Sequence, residues 1–211
     1  MIAGHVDELH DALAVAPQTN EVGRSAALLV GLFDLAAATD ARQVRLLELG
    51  ASAGLNLLLD RFRVVGDGWS WGSEASPVQL TEAVQGAIVP ADLEIVEARG
   101  CDLDPLDATS EQGRLRLTSF VWPFDVHRHE RLTGALRLAA AQPPVVDRAS
   151  AADWLTSQLA APADPGSLVV VWHSVTQLYW PAAEIAAVRA ALSAYGRDHR
   201  VGEVGMEYAP D

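Results

Sequence analysis

The sequence predicts an α/β fold, a three-layer sandwich of helices around a mostly parallel sheet. One stretch, Val44 to Phe62, reads as a short apolar strand (Val44–Leu49), a turn of small residues (Gly50–Gly54), and then Leu55, Leu58, Leu59 and Phe62 at helical spacing. Further strand-like runs at Leu93–Glu97, Val145–Val146 and Ser167–His173 are separated by helical periodicities, the pattern of strands joined by crossover helices. The chain has 211 residues, half of them hydrophobic, enough for one substantial core.

Taken in order, Met1 to Ala16 carries Val6, Leu9 and Leu13 at helical spacing and is stopped by Pro17. Thr19 or Asn20 can cap a second helix that buries Ala26, Leu29, Val30, Phe33 and Ala37. Glu21 and Arg24 in its first turn read either as groups reaching over a ligand cleft or as a cap with a surface ion pair. Arg63–Val65 and Trp69–Trp71 flank Gly66-Asp67-Gly68 as a hairpin, and Val78–Leu80 can add a strand. Glu111–Phe120 and Arg131–Ala141 read as helices, the second halted by Pro143-Pro144. Pro181–Tyr195 is a proline-opened helix ended by Gly196, and Val201–Tyr208 supplies a last strand. The expected organisation is therefore residues 1–43 as helices packed on the core, and 44–211 as a Rossmann-like domain with a β-hairpin insertion at 63–90.

Composition narrows the function. The 28 acidic residues against 15 basic give a net charge of −13, which opposes non-specific binding to nucleic acid or anionic membrane and favours a small-molecule substrate. No signal peptide or membrane span is visible, the apolar stretches being broken by Asp34, Glu48 and Asp60, so a cytoplasmic location is expected. Cys101 stands alone, which excludes an internal disulfide and a multi-cysteine zinc site. His127 and His129 have no third ligand at suitable spacing, so no metal is expected. All 15 basic residues are arginine. A P-loop NTPase, a protein kinase and a pyridoxal-phosphate enzyme each need a lysine amine, and are excluded.

The turn after the first strand carries the chemistry. A dinucleotide fingerprint would need glycine where the chain has Ser52 and Leu55. The hydrolase elbow G-x-S-x-G is matched by Gly50, Ser52 and Gly54, with Ser52 as nucleophile. An acidic residue two before G-x-G-x-G, the S-adenosylmethionine (SAM) signature of class I methyltransferases, is matched at Glu48, Gly50 and Gly54 and departs at Ser52. Position decides between them, because a hydrolase elbow follows earlier strands and everything before Val44 reads as helix.

Neighbouring strand ends supply the partners expected of a nucleoside site. Asp102 and Asp104 stand where a carboxylate would accept both ribose hydroxyls; the competing reading is an Asx turn before Pro105. Asp153 with Trp154 reads either as an adenine partner and its apolar neighbour, or as a first-turn Asp beside a core tryptophan. His173, at the end of the clearest buried strand, is the candidate general base, with Ser174, Gln177 or Tyr179 positioning the acceptor.

Five segments together, TNEVGR, ELGASAGLNLLLDRF, RGCDLDPLD, SFVWP and VVWHSV, resemble an uncharacterised bacterial family, domain of unknown function 2332, which is similar in fold to class I SAM-dependent methyltransferases. The resemblance covers nearly the whole chain from Thr19 onward. It implies an interest in Asn20, Glu21, Arg24, Asn56, Trp122 and Ser174 besides the residues above, and supplies no reaction. Against that pattern the chain begins late and stops near Glu207, short of the hairpin that closes a methyltransferase sheet. An open sheet edge follows, and with it a homodimer or a fragment. The leading expectation is a SAM-dependent methyltransferase or SAM-binding relative with the strand order 3-2-1-4-5. The alternatives are a serine hydrolase using Ser52 with His173 or His199, and a catalytically degenerate Rossmann-like binding scaffold.

Overall fold

The computed structural model describes residues 10, 17–81, 83–161, 164 and 166–208. The helix expected over residues 1–16 lies, His10 apart, outside the described residues. Helix α1 (Ser25–Thr39) is entered through a 3-10 turn, Val22–Arg24, and the Glu21 carboxylate, not Thr19 or Asn20, accepts from Gly23 N at 2.9 Å to cap it. Leu28, Leu29, Leu32, Phe33 and Ala36 form its buried stripe, while Ala37 is exposed. Among the described residues one helical stretch, Val22–Thr39, has the length and apolarity to cross a membrane, since Arg24 and Asp34 interrupt it little; 44% of it is buried within this fold.

Five parallel strands form the main sheet: β1 (Gln43–Leu49), β5 (Glu94–Asp102), β6 (Val146–Arg148), β7 (Ser167–Ser174) and β8 (Val201–Met206), side by side as β6-β5-β1-β7-β8. Numbered within this sheet alone, that is the order 3-2-1-4-5. β5 continues through Gly100 because it pairs with β1 from Gln43↔Glu94 to Leu49↔Cys101, and so is longer than its apolar core suggested. Between β1 and β5, strands β2 (Arg63–Gly66), β3 (Trp69–Trp71) and β4 (Gln79–Thr81) make a separate small sheet in which β4 joins parallel to β2.

Alternation along the central strands feeds two cores. Val44, Leu46, Leu168, Val170 and Trp172 pack with α1 and with α3 (Val126–Ala141). Leu47, Leu49, Val169 and Val171 face α4 (Ala151–Leu159) and α5 (Ala182–Tyr195) on the other side. The remaining helix, α2 (Glu111–Ser119), precedes α3. α3 starts five residues earlier than its apolar pattern indicated, because Asp125 caps it by accepting from Arg128 N at 3.1 Å. His127 and His129 therefore sit two apart on a helix and diverge.

The segment after the glycine turn differs from expectation. Leu55–Arg61 is a 3-10 helix, not an α-helix. Its first N–H, that of Leu55, is already bonded to Asn20 Oδ1 at 3.0 Å. That end is a buried packing element rather than a free anion-binding terminus. β6 and β8 are the sheet edges, and among the described residues no strand pairs with the outer side of β8.

Candidate functional site

A cleft of about 540 Å³ opens at the C-terminal ends of the main-sheet strands, the place where open parallel sheets hold ligands. Each strand contributes its end: Ala149 and Ala151 after β6, Asp102 and Asp104 at β5, Glu48 to Ser52 at β1, Ser174 to Trp180 after β7, and Tyr208 after β8. The segment Pro17–Asn20 and Arg24 close it from the N-terminal side.

The floor is the Gly50–Ser52 turn. Gly50 N and Ala51 N both donate to Cys101 O at 2.9 Å, tying the turn to β5. Gly50 has φ 71° and Ser52 has φ 54°. Ser52 thus holds, at a cost of about 1–2 kcal/mol, the left-handed conformation that the middle glycine of a G-x-G-x-G turn takes freely. A Cβ on Gly50 would stand 2.8 Å from Thr176 Cβ, so glycine here also lets the β7 loop close onto the turn. Gly54 plays no part in the cleft; its missing side chain makes room for Val146 and Pro144.

Glu48 is 2% exposed and lines the cleft. On the same face, β7 supplies its register partner Trp172, whose Nε1 donates to Glu48 Oε1 at 3.1 Å, and Asn56 Nδ2 donates to the same oxygen at 3.4 Å. Asn56 is held in turn by Ser25 Oγ, which donates to its Oδ1 at 2.8 Å. The other Glu48 oxygen, Oε2, has no hydrogen-bond partner among the described residues. Burial pushes the Glu48 carboxyl up to about 8; Asp102 adds to the rise, while the two hydrogen bonds and Arg24 oppose it. A buried carboxyl with one free oxygen facing a cleft is a receptor for a cation or a donor.

Asp102 ends β5 beside the turn. Its Oδ2 accepts from Ser52 N at 2.8 Å and its Oδ1 from Asp104 N at 2.9 Å, which leaves one lone-pair direction on each oxygen. Asp104 is exposed and paired with Arg148 at 2.9 Å. Arg24 Nη1 donates to Ser174 O and Oγ at 3.2 and 3.3 Å. Its neighbour Glu21 turns away from the cleft to Arg128 and, at 3.1 Å, to Arg131 of α3. The two therefore do not form the surface pair that their spacing allowed.

Besides Gly54, three residues of the predicted site are not brought to the cleft: Asp153, Trp154 and His173. Asp153 is exposed in the first turn of α4, where Ser150 Oγ donates to it at 2.8 Å. Trp154 is buried, its Nε1 donating to Asp147 Oδ2 at 2.7 Å. Capping and packing, not adenine binding, use this pair. His173 is 3% exposed and lies behind the β7 loop. Its Nδ1 is 2.9 Å from Glu207 Oε1 and its Nε2 is 3.0 Å from Glu203 Oε1. A carboxylate against each ring nitrogen favours the doubly protonated ring, a form with no lone pair for base catalysis. Burial pulls its pKa down, but the hydrogen bonds and charges of Glu203 and Glu207 outweigh burial and raise it. Glu207 also accepts from Thr176 N at 3.1 Å and from Gln177 N at 3.4 Å. His173 is a strut for the loop that walls the cleft.

Sequence reasoning missed the strut's carboxylates and Gln18. The signal for the first was present: Glu203 and Glu207 alternate with Gly205 along β8, and a Cβ at Gly205 would meet the His173 ring at 2.7 Å. Gln18 carried no such signal. It accepts from Ser52 Oγ at 2.9 Å and donates to Asp104 O at 3.1 Å. Ser52 thus bonds an amide rather than a histidine, and His199 stacks on Tyr195 at the opposite end of α5, centroids 4.4 Å apart. Cys101 also faces the cleft, but burial pushes its thiol up to about 12 and removes it as a nucleophile.

A family model described as an uncharacterised protein conserved in bacteria (DUF2332) matches residues 1–211. No curated protein and no solved structure matches the chain.

Proposed function

The chain belongs to DUF2332, a family that brings no reaction with it, and from the cleft alone we propose a Rossmann-like, SAM-binding protein of the class I methyltransferase type, with S-adenosylmethionine as cofactor and a small molecule as acceptor. The observation that carries this reading is the juxtaposition of three chemistries on adjacent strand ends. A left-handed small-residue turn follows β1, an aspartate with free lone pairs ends β5, and a buried carboxyl with an unpartnered oxygen sits beneath both. In this reading Gly50 and Ser52 pass under the cofactor, and Asp102 takes the ribose hydroxyls. Glu48 takes the ammonium, with Arg24 within reach of the carboxylate. The base end rests on Ala149 and Ala151, without Asp153.

Methyl transfer breaks a carbon–sulfur bond as the acceptor atom forms one to the same carbon, and the sulfonium becomes a neutral thioether. Catalysis then needs alignment chiefly. That suits a cleft whose former base candidate is engaged as a strut, and it favours an acceptor that arrives with its lone pair available. The same fact favours, as a second reading, a binding scaffold without turnover.

Calorimetric titration with SAM and with its demethylated product tests the proposal. Saturable heat in the wild type, abolished in an Asp102→Ala/Asp104→Ala double variant, is the expected result. Undiminished binding in that variant overturns the ribose assignment, and absence of binding in the wild type overturns the cofactor. Binding without methylation of any acceptor selects the scaffold. A fluorophosphonate probe should leave Ser52 unlabelled.

A further inference from the structure

The strand order fixes a chemical order along the cleft. Going from β5 to β8, the lining changes from acidic, at Asp102 and Asp104, through the small-residue turn, to apolar and aromatic after β7 and β8. Strand spacing of about 4.8 Å separates the two ends by roughly 10–15 Å. At the far end Leu178 is 54% exposed, Tyr179 59% and Tyr208 76%, beside the half-buried Trp180. Side chains of this kind standing open at the mouth of a cleft mark a surface awaiting an apolar partner.

This end is also built to stay in place. Tyr179 and Trp180 lie on a tight turn whose N–H groups donate to Thr176 O and Gln177 O, both at 3.0 Å. Glu207 and the His173 strut anchor that turn. Val175, just before it, holds φ 51°, a conformation costing a β-branched residue about 1–3 kcal/mol. Such strain persists only where surrounding bonds over-determine it, and here it presents the aromatic groups in a fixed pose. Charge limits the occupant further. Among the cleft-lining residues Arg24 is the one cation, against Asp102 and Asp104. A nucleic acid or other polyanion is repelled.

We propose that the β7–β8 end of the cleft is the binding site of a planar, uncharged aromatic small molecule, held between Tyr179, Tyr208, Leu178 and Trp180. As an acceptor site it rests on the SAM reading; as a ligand site it stands on these side chains alone. The probe is 2-naphthol, titrated by ligand-observed NMR with saturating S-adenosylhomocysteine and again without it, beside its saturated counterpart decahydro-2-naphthol.

The variant is Tyr179→Ala/Tyr208→Ala, both exposed positions, with its melting temperature as the check on folding. Phe124→Ala, an exposed aromatic position outside the cleft, serves as the control. Saturable binding of 2-naphthol, weakened about tenfold or more in the tyrosine variant and not in the Phe124 variant, is expected from the loss of two aromatic contacts. No saturable binding, equal binding of the saturated analogue, or an unaffected tyrosine variant overturns the proposal. Naphthol binding that survives while SAM fails to bind keeps the aromatic site and removes the cofactor reading; SAM binding with no naphthol binding does the reverse.

Discussion

Glu48→Gln should convert a pH-dependent weakness of this fold into a pH-independent one. The unfolded carboxyl titrates at its ordinary value of 4.5, and the folded one is pushed up to about 8, burial being the largest cause. Between those values the folded chain keeps a proton that the unfolded chain has lost. Stability therefore falls as pH rises through this window and levels off above it. Each pH unit of difference is worth about 1.4 kcal/mol, so ionising Glu48 in the folded chain costs on the order of 5 kcal/mol. Glutamine is isosteric, still accepts from Trp172 and Asn56, and never ionises. Urea melts of both proteins at half-unit steps from pH 5.5 to 9 should show the variant gaining on the wild type by about 1.4 kcal/mol per unit up to pH 8. In a domain of this size the full difference is roughly 10–20 °C in melting temperature. All other titrating groups are common to both proteins, so the difference isolates Glu48. Parallel stability curves would refute the argument. The same titration predicts that a ligand bearing an ammonium group expels nearly one proton at pH 7, read from calorimetry in buffers of different ionisation enthalpy.

The strut titrates with the same sign, here because a favourable charge is lost rather than an unfavourable one gained. With its folded pKa raised above 6.5, His173 contributes stability that is complete below the unfolded value and is lost as pH rises through the folded one; hydrogen-exchange protection at Thr176 and Gln177 should fall across that rise in the wild type and be low and flat in His173→Gln. Equal protection in both would show that Glu207 holds the loop unaided. Gly50→Ala should cost about 2–3 kcal/mol, because it adds a clash with Thr176 to a strained left-handed backbone. Gly68→Ala, also left-handed at φ 76° but with open space around it, is the matched control and should cost about 1–2 kcal/mol in urea melts.

What was legible in the sequence was local. The run Leu168–Trp172 is apolar without a break because both of its faces are covered, and the small residues of the Gly50–Gly54 turn announced themselves by size alone. Asp102 could be placed because it stands at the end of a strand. Asp153 could not, since an acid in a helix's first turn has the same spelling whether it caps or binds, and only the direction of Ser150 Oγ separates the two.

His173 shows the physical reason most clearly. A histidine at a strand end reads as a base until its neighbour strand is known. The register His173↔Gly205 puts Glu203 and Glu207 on the same face, one on each side of the ring, thirty or more residues away in the chain. That partnership favours the protonated, donating ring, and so moves the functional weight of the β7 end from the imidazole to the aromatic turn it supports. The identity of a catalytic group is thus a property of strand adjacency. If β8 were detached, His173 would lose both carboxylates, its pKa would fall with burial, and the cleft wall would lose its anchor in the same event.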